Sequence, residues 1–396
     1  MPGNSSVVRV TSGDFSESRQ GATKMTSDCQ KLSSMLQLWD KSLIVERLRQ
    51  MRNIQTMAEL QLQTPGKQPT IRDVADLAGV ATSTVSRALS NPGRVNHVTR
   101  ERIEQAAAQL NYIPSSQARG LSSGRTQTVA VLVPDITNPF YFDIIRGAQH
   151  QLKAAGYTQL LVDTEESADM EADALQKMRR SADGFILAAS RLTDAQLAEA
   201  ATQQPMVTIN RASANAPTVV IDTPSAIVQA LEHLVSLGHS RICFVGGPTT
   251  SWSNAKRWKT FQDEAQERSL TTFSVGPFTP KTTSGAAAAD AAVHTGATAC
   301  LVFNDLLAIG MLQRLRERGI RVPEDMSIVG CDDIFGADFC NPPLTTMASP
   351  IEQAGRVAVS MLLSRLNPQY GGTNRRLAVM PTHLTVRGST GAAPEL

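Results

Sequence analysis

From Thr126 onward, short apolar runs recur between segments of helical periodicity, and this alternation constrains the fold more than any other feature of the chain. The runs are TVAVLV (128–133), TQLLV (158–162), GFILA (184–188), MVTIN (206–210), TVVI (218–221), RICFVG (241–246), ACLVFN (299–304), SIVGC (327–331) and TTMAS (345–349). Near-continuous apolar strands joined by helical crossovers make parallel sheets covered on both faces. A helix from about Phe140 to Ala155, closed by Gly156, is one such crossover. About 270 residues is long for one sheet of this kind, so the pattern predicts two similar α/β lobes with a ligand cleft between them.

A different texture precedes it. Between residues 69 and 111 three short helical patterns follow one another. Thr70 with Asp73 forms a capping box ahead of an apolar face made by Ile71, Val74, Ala75 and Ala78. Gly79-Val80 turns the chain into a second helix, Thr82 to Leu89, with Val85, Ala88 and Leu89 facing inward. NPGRVN (91–96) is a loop, Thr99 is expected to cap the third helix, and Ile103, Ala106, Ala107 and Leu110 supply its buried stripe. Helix, glycine turn and helix within about twenty residues is the helix-turn-helix arrangement. Thr82, Ser83, Thr84, Ser86 and Arg87 then lie opposite the buried side of the second helix. Arginine can donate twice to guanine O6 and N7, short hydroxyls reach bases or phosphates, and helix N-termini at Thr82 and Thr99 suit phosphate. Periodicity alone also fits a plain three-helix bundle whose Ser/Thr/Arg face is merely solvated.

Charge is informative only when divided. The 396 residues carry 38 Lys+Arg and 36 Asp+Glu, a net +2. Residues 1–68 hold nine basic and six acidic residues, residues 69–125 seven and four, and residues 126–396 the remaining 22 and 26. Two basic segments therefore precede a mildly acidic body. Five cysteines without a CxxC pair argue against a disulfide framework or a cysteine zinc site and suit a reducing cytoplasm. No apolar stretch reads as a secretory signal or a membrane span, so no membrane partner is expected. Residues 1–68 read as a leader. Its first 30 residues have the composition of a disordered segment, and Leu32, Met35, Leu36, Trp39, Leu43 and Ile44 recur at helical spacing. QTPGKQP (63–69) reads as a linker, and Met57 is an alternative start.

The residues from 70 to 121, TIRDVADLAGVATSTVSRALSNPGRVNHVTRERIEQAAAQLNYIPSSQARGL, resemble the DNA-binding headpiece of the LacI/GalR repressor family along their whole length. VPDITNPF, DGFIL, NDLLAIG, VPEDMSIVGCDD and PPLTTMASP follow in family order, so the resemblance covers about 69 to 390. It implies a headpiece over 69–114, a hinge helix and linker over 115–125, and a two-lobed core over 126–390 that folds like periplasmic sugar-binding proteins. It further implies that Thr82, Ser83 and Arg87 read bases, and that Ser86, Asn96, Thr99 and Tyr112 position phosphates. Ala118, Arg119 and Leu121 would lie at the minor groove, Leu121 as a wedge between base steps. The partners implied are palindromic operator DNA, a second copy of the chain and a small effector; no cofactor or metal is implied.

In the cleft, the positions matching the family's pocket are Phe140, Tyr141, Ser251, Ser253, Arg257, Asn304, Asp305 and Asp332. Their chemistry suits a polyhydroxylated ring: carboxylates and amides hold hydroxyls, arginine donates bidentately, and an aromatic covers a ring face. Helix capping is the plainer role for Asp305 and Asp332, surface charge for Arg257, and core packing for Phe140. PDITNPFYFDIIRG, DFCNPPLTTMASP and RLAVMPTHLTVRGST are most like a branch whose effector is a nucleoside. Ser251 stands where purine-responsive relatives hold a base-contacting arginine, which disfavours a purine and leaves nucleoside or sugar open. Catalysis is the rival class. His233, His239, His294 and His383 belong to no nucleophile–base motif, and G-x-S-x-G, GxxxxGK[ST] and HExxH are absent. GGP (246–248) follows a strand without GxGxxG spacing. A free solute-binding protein is the second rival, which the basic headpiece argues against.

Overall fold

Two units make up the chain, Met1–Ile113 and Pro114–Leu396. The computed structural model describes residues 69–90, 92–112, 125–367 and 375–395. The expected leader over 1–68 and the hinge positions Ala118, Arg119 and Leu121 lie outside the described residues.

In the first unit, α1 (Ile71–Ala78), α2 (Thr82–Ser90) and α3 (His97–Gln109) surround a small core of Val74, Ala75, Ala78, Val85, Ala88, Ile103, Ala106 and Ala107. Asp73 accepts hydrogen bonds from the Thr70 N–H (2.6 Å) and hydroxyl (2.7 Å), as the capping box requires. Gly79, at φ 59°, takes the left-handed conformation that ends α1 and starts the turn. One expectation is corrected here. The cap of α3 is Asn96, whose Oδ1 accepts the Val98 N–H at 3.0 Å, and Thr99 lies within the first turn. Asparagine outranks threonine at this position, and starting at Asn96 brings three more residues into the helix.

The second unit holds β1 (Thr128–Val133), α4 (Phe140–Ala154), β2 (Thr158–Asp163), α5 (Ala168–Met178), β3 (Gly184–Ala188), α6 (Asp194–Gln203), β4 (Met206–Ile209) and β5 (Thr218–Ile221). There follow α7 (Thr223–Ser236), β6 (Arg241–Val245), α8 (Trp252–Glu267), β7 (Thr271–Val275), α9 (Gly285–His294), β8 (Ala299–Val302), α10 (Asp305–Glu317), β9 (Ser327–Cys331) and β10 (Thr345–Ala348). The chain ends with α11 (Ile351–Leu366), β11 (Leu377–Met380) and β12 (His383–Thr385). The strands form two six-stranded sheets, ordered β11-β5-β4-β3-β1-β2 and β12-β10-β9-β8-β6-β7. Pairing is parallel throughout except that β12 runs antiparallel to β10.

Strand alternation assigns each sheet's residues to its two faces. Val129, Val131, Ile186 and Val207 pack under α4 and α11, while Ala130, Leu132, Phe185 and Leu187 pack under α5 and α6. In the second lobe Cys243, Val245 and Val302 meet α9 and α10, and Ile242, Phe244 and Leu301 meet α7 and α8. Helices α4 and α11 approach backbone to backbone: a Cβ on Gly147 would sit 2.0 Å from the Glu352 carbonyl oxygen. The chain crosses between lobes at Asp222, at Pro350 and between Met380 and His383. Thr382 Oγ1 donates to the Asp222 carbonyl (2.7 Å), tying two crossings together.

All nine expected strands are present, several one or two residues shorter than their apolar runs. ACLVFN stops at Val302 because Asn304 caps α10. Three strands were not anticipated. β7, β11 and β12 lie at sheet edges, and none is an uninterrupted buried apolar run.

Candidate functional site

On the first unit, Thr82, Ser83 and Arg87 are exposed on α2, with Thr84 and Ser86 half-buried, while Val85 and Ala88 hold the opposite side in the core. Asn96 is exposed with its amide oxygen spent on the cap, Thr99 is half-buried, and Tyr112 packs against the core. Arg87 and Arg94 are both exposed. A small rigid core thus presents a polar helix face bearing a long bidentate donor, the geometry a major groove accepts.

The second site lies between the lobes of the second unit, at the carboxyl ends of the strands. Its cavity is about 30 Å³, far smaller than the roughly 300–1,000 Å³ of a small-molecule pocket, so a sugar-sized ligand enters only with the lobes further apart. Seven of the eight expected positions line it: Phe140, Tyr141, Ser251, Ser253, Arg257, Asn304 and Asp332. Asp305 does not. It is wholly buried behind the cleft, accepting hydrogen bonds from the Ile334 N–H (3.0 Å) and Thr346 Oγ1 (2.6 Å). Asn304 occupies the cap and faces the cavity. One residue further round the helix, Asp305 is directed into the lobe.

Arg257 on α8 is only 4% exposed. Its Nη1 donates to the Phe303 carbonyl, its Nη2 lies 3.5 Å from Asp332 Oδ1, and its guanidinium sits 5.1 Å from the Phe303 ring centroid. Its Nε has no partner. Ser251 caps α8 by accepting the Asn254 N–H at 3.3 Å. Asn304 accepts the Leu307 N–H (3.1 Å) and donates to the Pro280 carbonyl (3.3 Å). Burial pushes the Asp332 carboxyl up to about 6, with Arg257 opposing the shift. Burial and the Asp332 charge push Asp305 up to about 7. The Tyr141 hydroxyl is raised by burial and stays protonated.

Sequence reasoning missed the facing wall. Arg191, Glu166 and Asn210 follow β3, β2 and β4 and line the cavity. Arg191 Nε and Nη2 each lie 2.6 Å from Glu166 Oε2, and its Nη1 donates to the Ala189 carbonyl at 2.7 Å. Asn210 Oδ1 is buried without a partner. The signal was available: polar residues directly after an apolar strand sit at the carboxyl end of a parallel sheet, where ligands bind. Polar contacts also span the lobes: Lys281 Nζ is 3.3 Å from Asp135 Oδ2, and Ser253 Oγ donates to the Asn210 carbonyl at 3.5 Å. Burial alone would raise Asp135, but hydrogen bonds from Thr137 and Lys281 outweigh it and hold the carboxyl below the usual range.

A helix-turn-helix unit followed by a two-lobed core of parallel sheets is the architecture of a transcriptional regulator. Residues 70–115 match the model of bacterial regulatory proteins of the lacI family, and residues 231–390 match that of a periplasmic binding protein-like domain. The chain is 35% identical over 333 residues to the HTH-type transcriptional repressor CytR of Escherichia coli K12, covering 82% of this chain and 97% of that one. It is 31% identical over 329 residues to the repressor PurR of Aliivibrio salmonicida, covering 81% and 98%. The Lac repressor dimer bound to operator and the anti-inducer ONPF superposes with a TM-score of 0.73 at 25% identity, covering 82% and 100%. A CelR–cellobiose complex gives 0.59 at 29%, covering 81% and 99%. The chain belongs to the LacI family of transcriptional regulators, and its relatives are repressors, not enzymes.

Proposed function

We propose that this protein is a homodimeric repressor whose affinity for a palindromic operator is set by a neutral polyhydroxylated effector, a nucleoside or sugar, bound between the lobes. The observation that carries the effector class is the charge balance of the cleft. Each of its two arginines faces a carboxylate, Arg191 with Glu166 and Arg257 with Asp332, so no cation is left over for a phosphate. Arg257 Nε and Asn210 Oδ1 remain as an unmet donor and acceptor, which hydroxyls can satisfy. Phe140 and Tyr141 give the ring an aromatic face. Cellobiose, the ligand in the CelR–cellobiose complex, is of this chemistry.

Thr82, Ser83 and Arg87 read the operator's bases, with Thr84 on the same DNA-facing side; Ser86, Asn96, Thr99 and Tyr112 position its phosphates; and Ala118, Arg119 and Leu121 engage the minor groove. The second copy is supported by two large apolar side chains left in water: Phe335 and Phe339 are 80% and 64% exposed, in edge-to-face contact at 5.0 Å. The protein acts in the cytoplasm, where its DNA is. The effector changes operator affinity only by favouring one lobe arrangement over another, since equal affinity for both shifts nothing.

A thermal-shift screen with nucleosides, free sugars and their phosphates tests this reading. A neutral ligand at 100 times its Kd adds about 2.7 kcal/mol of stability and changes operator affinity in an anisotropy assay. Stabilisation by the phosphorylated compounds alone refutes the effector class.

A further inference from the structure

At the amino end of the first lobe's sheet, opposite the effector cleft, Arg125, Arg179 and Arg180 line one depression of about 440 Å³. Arg125 precedes β1, and Arg179 and Arg180 connect α5 to β3. All three are exposed. The carboxylate that lines the depression, Asp183, accepts the Thr126 N–H (2.6 Å), the Thr126 hydroxyl (2.8 Å) and the Gln127 N–H (3.0 Å), and Arg125 Nη2 donates to the Leu366 carbonyl (2.8 Å). Two exposed guanidinium charges, Arg179 and Arg180, therefore lie side by side in a body, residues 126–396, that carries 22 basic and 26 acidic residues, with Arg125 at its edge.

Their place along the chain gives the cluster its partner. Arg125 is thirteen residues from Tyr112, the last described residue of the DNA-binding unit. Thirteen residues span at most about 45 Å fully extended. When that unit holds DNA, this end of the lobe is confined within the same distance of it, at the high effective concentration a short tether imposes. A body of net negative charge is repelled by DNA, and an arginine cluster at the tethered end reverses that locally. Guanidinium is also the side chain best matched to phosphate oxygens. We propose that Arg179 and Arg180, with Arg125 behind them, form an auxiliary contact to the DNA backbone outside the segment covered by the helix-turn-helix. This rests on the DNA-binding reading above and adds to it a non-specific, salt-sensitive contact made by the core.

The test is the salt dependence of binding by the full chain. On a duplex long enough to extend past the recognition site, Arg179→Ala/Arg180→Ala lowers the slope of log K against log salt by about 2 for each protomer engaged, at about 0.9 per phosphate contact. Base preference stays unchanged. Arg179→Lys/Arg180→Lys keeps most of the slope, and Arg316→Ala on the other lobe changes nothing. On a duplex cut to the recognition site, the alanine variant and the unsubstituted protein behave alike. Equal slopes on the long duplex overturn the proposal, as does an equal loss on both duplexes. Failure of the unsubstituted protein to bind DNA at all counts instead against the DNA-binding reading itself.

Discussion

Replacing Arg257 by methionine keeps the volume of the side chain and removes its charge. Three things are lost: the charge-assisted bond to the Phe303 carbonyl, the contact with the Phe303 ring, and the counter-charge for Asp332. Stranding the partner of a buried ion pair costs about 3–5 kcal/mol, but here the carboxyl has a way out. Burial already pushes it up to about 6 with Arg257 in place, and without the arginine it rises further. A carboxyl raised by folding contributes stability that is fully present below its unfolded value near 4 and lost as pH climbs through the folded value. At pH 5.5 Asp332 is mostly protonated in both proteins, so the variant loses only the carbonyl bond and the ring contact, about 2 kcal/mol. At pH 8 the substitution strands an ionised carboxylate or forces its protonation, and the deficit reaches about 4 kcal/mol. Urea denaturation at the two pH values measures both. A second substitution, Asp332→Asn, removes the pH-dependent part. An equal deficit at both pH values, unrelieved by that substitution, refutes the assignment of Arg257 and Asp332 as a buried pair.

Other expectations follow from single contacts. His239 is buried, with Nδ1 2.9 Å from Thr298 Oγ1 and Nε2 3.0 Å from Ser327 Oγ and 3.1 Å from the Gly391 carbonyl; His239→Leu costs about 2–3 kcal/mol in urea denaturation by orphaning these groups. Burial lowers the pKa of His239, so its contribution is complete above the unfolded value of about 6.5 and is lost as pH falls below that toward the lowered folded value, as a stability profile from pH 8 to 5 will show for the unsubstituted protein relative to the variant. Gly147→Ala drives a methyl into the Glu352 carbonyl and costs about 1–3 kcal/mol or more, read as a lowered Tm of the core. Asn96→Ala removes the α3 cap and destabilises the first unit by about 1 kcal/mol, seen as faster amide exchange at Val98.

What the sequence made legible followed burial. β1, β3 and β9 are fully or almost fully apolar, and their positions agree with the runs that predicted them. β7 and β11 each keep one face in water, so their patterns are short and mixed. The antiparallel β12 follows β11 after two residues, a spacing that hides the change of sheet. In the cleft, the α8 and α10 positions were reached through the family resemblance, and Ser251 and Asn304 among them stand at helix caps. Arg191, Glu166 and Asn210 come from loops of irregular backbone: Glu166 and Asn210 have φ of 59° and 55°, which no periodicity announces. Asp305, expected in the pocket from the resemblance, lies a single step of helix register past Asn304, which lines it. One residue separates a wall of the cavity from the interior of the lobe.

The account's central claim is that what binds between Arg191 and Arg257 is read out at α2. Its most direct measurement is fluorescence anisotropy of the full chain on an operator selected from random duplexes, titrated with the neutral ligand found by thermal shift. The account predicts that the ligand changes operator Kd five-fold or more, with Arg87→Ala weakening cognate binding by about 1–3 kcal/mol and relaxing base preference whether or not ligand is present. A ligand that saturates the cleft and leaves operator Kd unchanged contradicts it.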